Sequence, residues 1–179
     1  MIEDCRNKIL KISHTMKKEI QKSFSKSLKT AIVLCICLIL HSCDKARVFE
    51  ENKTIPENIW NKDSIMKFDV IITNALVSNN FYINVRNADG FPYSNLYLFI
   101  KTTFPSGKIA KDTLNCILAD EKGNWLGSGM GDIYDNQIPF KRNVRFPSTG
   151  KYVFEIQHGM PINNIPLIMD VGLRIEKVE

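Results

Sequence analysis

The sequence predicts an all-β domain set behind a short apolar N-terminal segment. Three observations predict it. From Ser64 onward the chain falls into short runs that alternate apolar and polar side chains, the period that places every second residue on one face of a strand. Clusters of Gly, Pro, Asn, Asp and Ser separate these runs. After residue 60 no segment carries an apolar stripe at helical period. About seven to nine short strands at this spacing read as an antiparallel β-sandwich, immunoglobulin-like or jelly-roll-like.

The first element is residues 1–42. Ten apolar residues run from Ala31 to Leu40. A bilayer-crossing helix needs about 20, and a run of about 10–14 fits the apolar stretch of a signal peptide. Lys17, Lys18, Lys22, Lys26 and Lys29 precede the run, with Glu19 the only acid among them. A basic flank, a short apolar run and the small Ser42 make a secretory signal. Leu40-His41-Ser42-Cys43 resembles the bacterial lipobox, in which the cysteine is lipidated and becomes the mature N-terminus. An ordinary signal peptide cleaved nearby is the competing reading, with Cys43 a bystander. Met16, followed by Lys17 and Lys18, is an alternative start that gives a signal of ordinary length.

Removing residues 1–42 leaves 137 residues, enough for one domain with a real core. The chain's charge of +5 sits in the removed part, because residues 43–179 carry 16 basic and 16 acidic side chains. Nucleic-acid binding loses its main support, and composition gives no sign of electrostatic attachment to anionic lipid. A lipid on Cys43 is the expected membrane attachment. Cys5, Cys35 and Cys37 leave with the signal, so Cys116 is the remaining thiol and no intramolecular disulfide is available.

Residues 43–63 read as a lipidated N-terminus and polar tether, with Trp60 packing onto the domain; residues 64–179 read as the sandwich. In the first strand Met66, Phe68, Val70 and Ile72 share a face; in the next, Phe81, Ile83 and Val85; in the third, Leu96, Leu98 and Ile100, with Tyr97 and Phe99 opposite. KDTLNCILAD, VRFPSTGKYVFEIQHGM and LIMDVGLRIEKV continue the pattern. Turn signals lie at Ala88-Asp89-Gly90, Pro105-Ser106-Gly107, Glu121-Lys122-Gly123-Asn124 and Pro147-Ser148-Thr149-Gly150. Tyr152, two residues after Gly150, is placed to bond back to the backbone as a tyrosine corner.

No motif dictates chemistry. Gly123, Gly127, Gly129 and Gly131 crowd together, but Asp132 follows where a phosphate loop needs Lys and Ser or Thr. Alternating glycines instead suit a strand that bends or lets another backbone approach. Asp132, Asp135 and Asn136 offer oxygens to Ca²⁺, yet such oxygens in a turn are common without metal, so no metal or other cofactor is expected. His158 is the one histidine after residue 42, which leaves a zinc site without its usual ligands and any serine or cysteine triad dependent on His158. Cys116 reads as a buried small hydrophobe. No pair of carboxylates stands out for glycoside hydrolysis. Trp60, Trp125, Tyr134 and Phe140 are candidates for a sugar-stacking platform or a protein-docking surface, with core packing the competing reading for at least two of them.

A set of blocks carries a family resemblance over nearly all of residues 40–177. They are Ser42-Cys43-Asp44 with Val48-Phe49; Ile55-Pro56; Trp60 with Asp63; Tyr82 to Asn87; Tyr93 to Phe99; Asp112-Thr113-Leu114 with Leu118-Ala119-Asp120; Gly123 to Asp132; Phe146-Pro147 with Gly150 and Tyr152; and Asp170 to Ile175. In these the chain resembles the gliding-motility lipoprotein family GldH of the Bacteroidetes. The resemblance implies a non-enzymatic cell-envelope lipoprotein whose partners are other gliding or secretion-linked envelope proteins. It departs at Pro161, where the resemblance implies an arginine. The resulting expectation is a non-catalytic interaction module, lipid-anchored through Cys43, with the outer membrane favoured over the inner. A carbohydrate-binding surface lipoprotein is the alternative. Replacement Cys43→Ala is expected to remove acylation, which mass spectrometry of the mature N-terminus reads directly.

Overall fold

The computed structural model of the chain describes residues 45–178; the signal segment and Cys43 lie outside them. Eleven strands follow one another: β1 (Arg47–Thr54), β2 (Ile59–Asn61), β3 (Met66–Ile72), β4 (Ser78–Ala88), β5 (Asn95–Thr103), β6 (Ile109–Ile117), β7 (Ser128–Gly129), β8 (Ile133–Arg145), β9 (Gly150–His158), β10 (Asn164–Pro166) and β11 (Ile168–Lys177). A single 3-10 turn, Pro56–Asn58, interrupts them. Among the described residues no helix is long and apolar enough to cross a membrane.

Two antiparallel sheets pack as a sandwich. One has the order β1-β11-β4-β8-β7, the other β3-β9-β5-β6, and β10 pairs with β2 in a small separate sheet. Alternation decides which residues lie between them. Met66, Phe68, Val70 and Ile72 of β3 point inward while Lys67, Asp69 and Ile71 point out. Phe81, Ile83 and Val85 of β4, Leu96, Leu98 and Ile100 of β5, and Tyr152, Phe154 and Ile156 of β9 do the same. All three inward faces expected from the sequence are therefore core. Burying such side chains stabilises by roughly 1.5–3 kcal/mol each before chain entropy is subtracted. Trp60 is fully buried and its indole N–H donates to the Ser64 carbonyl at 2.8 Å.

Two long strands depart from the sequence reading, as do the short β2, inside the expected tether, and its partner β10. Residues 47–54, read as tether, form the edge strand β1, registered on β11 from Arg47 opposite Glu176 to Thr54 opposite Asp170. Residues 133–145, not read as a strand, form β8, the longest one, with two register shifts against β4. The expected corner is present: the Tyr152 hydroxyl donates to the Ser148 carbonyl at 2.8 Å, and its ring packs edge-on to Phe146 at 4.7 Å. The edge strand β6 turns Asp112 toward Lys141 of β8, 2.7 Å away, so the flank between the sheets carries an inward-facing ion pair, which discourages edge-to-edge pairing.

Tyr152→Phe is expected to lower stability by on the order of 1 kcal/mol through loss of the part-buried hydrogen bonds that its hydroxyl makes with the Ser148 backbone. Phe68→Ala is expected to cost about 3–5 kcal/mol. Urea unfolding of the two variants measures both, and equal losses would contradict the assigned roles.

Candidate interaction surface

The corner between β6 and β8 is built from a turn upward. The Asp120 carboxylate accepts the backbone N–H of Lys122 at 2.9 Å, that of Asn124 at 2.8 Å and the Asn124 side-chain amide at 2.9 Å. Those bonds, led by the Asn124 side chain, hold the Asp120 carboxyl below its ordinary pKa. Gly123 takes a φ of 85°, which only glycine adopts freely. The tightened turn bridges Ala119 to Trp125. Trp125 then sits between Phe91 (centroids 6.3 Å apart) and Tyr134 (5.6 Å), and its indole N–H donates to Asp89 at 2.9 Å.

Next to this braced aromatic base the chain leaves apolar side chains in water. Met130 is 94% exposed and Leu126 58% exposed. Two of the glycines around them are close-approach sites: a Cβ on Gly129 would run into the Ile133 carbonyl oxygen, and one on Gly127 would meet the Asp135 carbonyl at 2.9 Å. That is the close backbone approach the glycine spacing suggested. Flexible apolar tips on a rigid aromatic base suit protein contact.

The structure brings Trp125 and Tyr134 together and leaves Phe140 apart. Phe140 lies further along β8, half-buried, with the Lys141 ammonium 4.9 Å above its ring. Trp60 belongs to the core and offers no platform. Asp132, Asp135 and Asn136 do not converge. Asp135 faces out and binds Arg86 at 2.6 Å, whereas the buried Asn136 donates to Asn87 at 2.9 Å and to the Val85 carbonyl at 3.2 Å. Among the described residues no three His, Cys, Asp or Glu side chains cluster closely enough to hold a metal ion.

A groove of about 800 Å³ runs over the five-stranded sheet, lined by Asn52, Asn84, Arg86, Gln137 and Asp170 among others. Arg86 joins Asp135 and Asp170 (3.0 Å), and the Asp135 hydrogen bond is the main reason its pKa stands above the ordinary value. Asn84 donates to Asn52 at 3.1 Å, while its buried carbonyl oxygen has no hydrogen-bond partner.

His158 and Cys116 are both buried. Neither ring nitrogen of His158 has a hydrogen-bond partner, although backbone groups of Asn163 and Trp60 lie nearby. The Trp60 ring packs edge-on 5.4 Å away. Burial, chiefly, holds the His158 pKa below its ordinary value. Burial also pushes the Cys116 thiol up to about 12, far from a reactive thiolate.

Comparison with known proteins fixes the family. The GldH lipoprotein model matches residues 47–175. The gliding motility lipoprotein GldH homolog of Christiangramia forsetii is 37% identical over 153 residues, covering 82% of this chain and 93% of that one. The gliding motility lipoprotein GldH of Flavobacterium johnsoniae is 33% identical over 155 residues, covering 83% of this chain and 96% of that one. The chain belongs to the GldH lipoprotein family. Among solved structures, an exo-beta-1,3-galactanase from Phanerochaete chrysosporium aligns with 71% of this chain and only 29% of its own length, at 6% identity and a TM-score of 0.33. That likeness is too slight to bear on fold or activity.

The blocks that carry the GldH resemblance have distinct places. Asp170 to Ile175 is the centre of β11, and Gly123 to Asp132 is the exposed corner itself. Pro161, the departure, is exposed, next to buried Met160, whose sulfur accepts the Tyr97 N–H at 3.4 Å. The groove residues were missed from sequence, because their convergence depends on cross-strand register. Leu126 and Met130 were visible as apolar residues inside a glycine turn.

A histidine kept neutral in the native state binds fewer protons than the unfolded chain does. Stability is therefore full above the unfolded pKa of about 6.5 and falls as pH drops through it toward the lowered native value. Chemical unfolding at pH 7.5 and pH 5 is expected to show this loss, and His158→Leu is expected to flatten it. The Asp69 and Asp120 contributions, whose pKa values are also lowered, are lost only in more acid solution. An unchanged slope in His158→Leu would remove His158 as the cause.

Proposed function

We propose that this chain is a cell-envelope lipoprotein serving gliding motility or the associated envelope secretion and assembly. It acts without catalysis, as a docking module. The lipid on Cys43 holds it, and the outer membrane is the favoured site. The observation that carries the proposal is the GldH match over residues 47–175, which begins four residues after Cys43. The docking surface is the corner of Trp125, Leu126, Met130 and Tyr134, whose rigid base and exposed tips suit a protein partner from the same machinery. The buried, unreactive His158 and Cys116 support a non-catalytic role.

A glycan ligand is the second reading. The groove with its amide side chains favours it, since amides and sugar hydroxyls exchange hydrogen bonds. Mild-detergent purification of the tagged protein from its own cells separates the two. Recovery of envelope partners, lost in Leu126→Ser/Met130→Ser and in Cys43→Ala, supports docking. Isolation of the protein alone, with glycan binding lost in Asn84→Ala but kept in Trp125→Ala, would favour the sugar reading in the groove.

A further inference from the structure

The balanced charge of residues 43–179 conceals a segregation along the sandwich. The end at which β1 begins also holds the start of β4 and the ends of β8 and β11, because Arg47 lies opposite Glu176 and Ser78 opposite Arg145. The short links 73–77 and 146–149 bring the end of β3 and the start of β9 to the same place. Lys45, Lys108, Arg142, Arg145 and Lys177 stand here, exposed and with no ion pair among the described residues. Glu176 is engaged by Arg174, and Asp69 by Lys151. Glu179 follows Val178 but lies outside the described residues.

Leu76 is 80% exposed at this basic end, and Val144 and Val178 are also in water. A register shift near Asn143, whose φ is 53°, marks the stretch of β8 that carries Arg142 and Arg145. The opposite end holds Glu57, Asp63, Asp89, Asp120, Glu121 and Asp132 against Lys62 and Lys122. The Trp125 corner belongs to that acidic end.

Cys43 precedes Arg47 by four residues, a reach of about 14 Å even at full extension. A lipid on Cys43 thus keeps the basic end close to the bilayer. We propose that this end, through Arg142, Arg145, Lys177 and Leu76, rests on anionic phospholipid headgroups of the membrane that holds the Cys43 lipid. This rests on the lipoprotein reading above. Cationic side chains draw the end to negative headgroups, and Leu76 enters the interface. The domain then stands upright, with the acidic end and its aromatic corner turned to a partner.

The lipidated protein, reconstituted into vesicles of phosphatidylcholine with or without phosphatidylglycerol, tests this. Buried Cys116 spares a thiol-directed fluorophore for Leu76→Cys in one sample and Met130→Cys in another. Expected is a blue shift with phosphatidylglycerol at Leu76→Cys, lost on adding Arg142→Glu/Arg145→Glu or high salt, and no shift at Met130→Cys. Circular dichroism checks that each variant is folded. Identical spectra with both lipid compositions, while the protein still floats with vesicles, would overturn the docking and leave the anchor standing. Protein that fails to float with either composition would overturn the anchor, and the docking with it.

Discussion

Phe68, Ile83, Leu98, Ile156 and Leu173 meet between the two sheets at essentially zero exposure, and everything else in the domain hangs on that contact. No disulfide reinforces it, because Cys116 is the free thiol of the described residues. Strand alternation sends the polar residues to two outer surfaces and leaves their form to cross-strand register. The Tyr152 corner, the Asp112–Lys141 pair and the Trp60 plug under β2 and β10 close the ends and flank of the same core. With no disulfide among the described residues, the domain is held this way, through packing and satisfied polar groups.

The rigid core sets what the surface offers. The Trp125 corner is held by short-range bonds to Asp120 and Asp89, while Leu126 and Met130 remain in water. The basic end is fixed by the opposite principle. Lys45, Lys108, Arg142, Arg145 and Lys177 there form no ion pair among the described residues, so their field is directed outward. The two ends are separated by the length of the strands, a separation that suits a tethered adaptor between a membrane and another protein.

Much of the fold was legible in the sequence because β3, β4, β5 and β9 each keep a strict period of two. β1 was not, since RVFEENKT lies at a sheet edge and buries little, leaving a composition like that of a tether. β8 was not, since its inward positions include the polar Asn136 and its ladder slips against β4. That omission explains the calcium candidates. Once β8 is a strand, Asp135 and Asn136 face opposite sides, which no spacing count in a turn reveals. The aromatic pair Trp125–Tyr134 was legible as residue types, but Phe140 was separable from it only by strand position. The segregated charge was invisible in composition because equal numbers of each sign sit at different ends.

Photocrosslinking in living cells tests the docking role most directly. A benzophenone amino acid replaces Met130 at the corner in one strain and Gln137 in the groove in another. The docking role predicts a discrete protein adduct at Met130 and none at Gln137. A protein adduct at Gln137 with none at Met130 would contradict it and move the interaction surface to the five-stranded sheet.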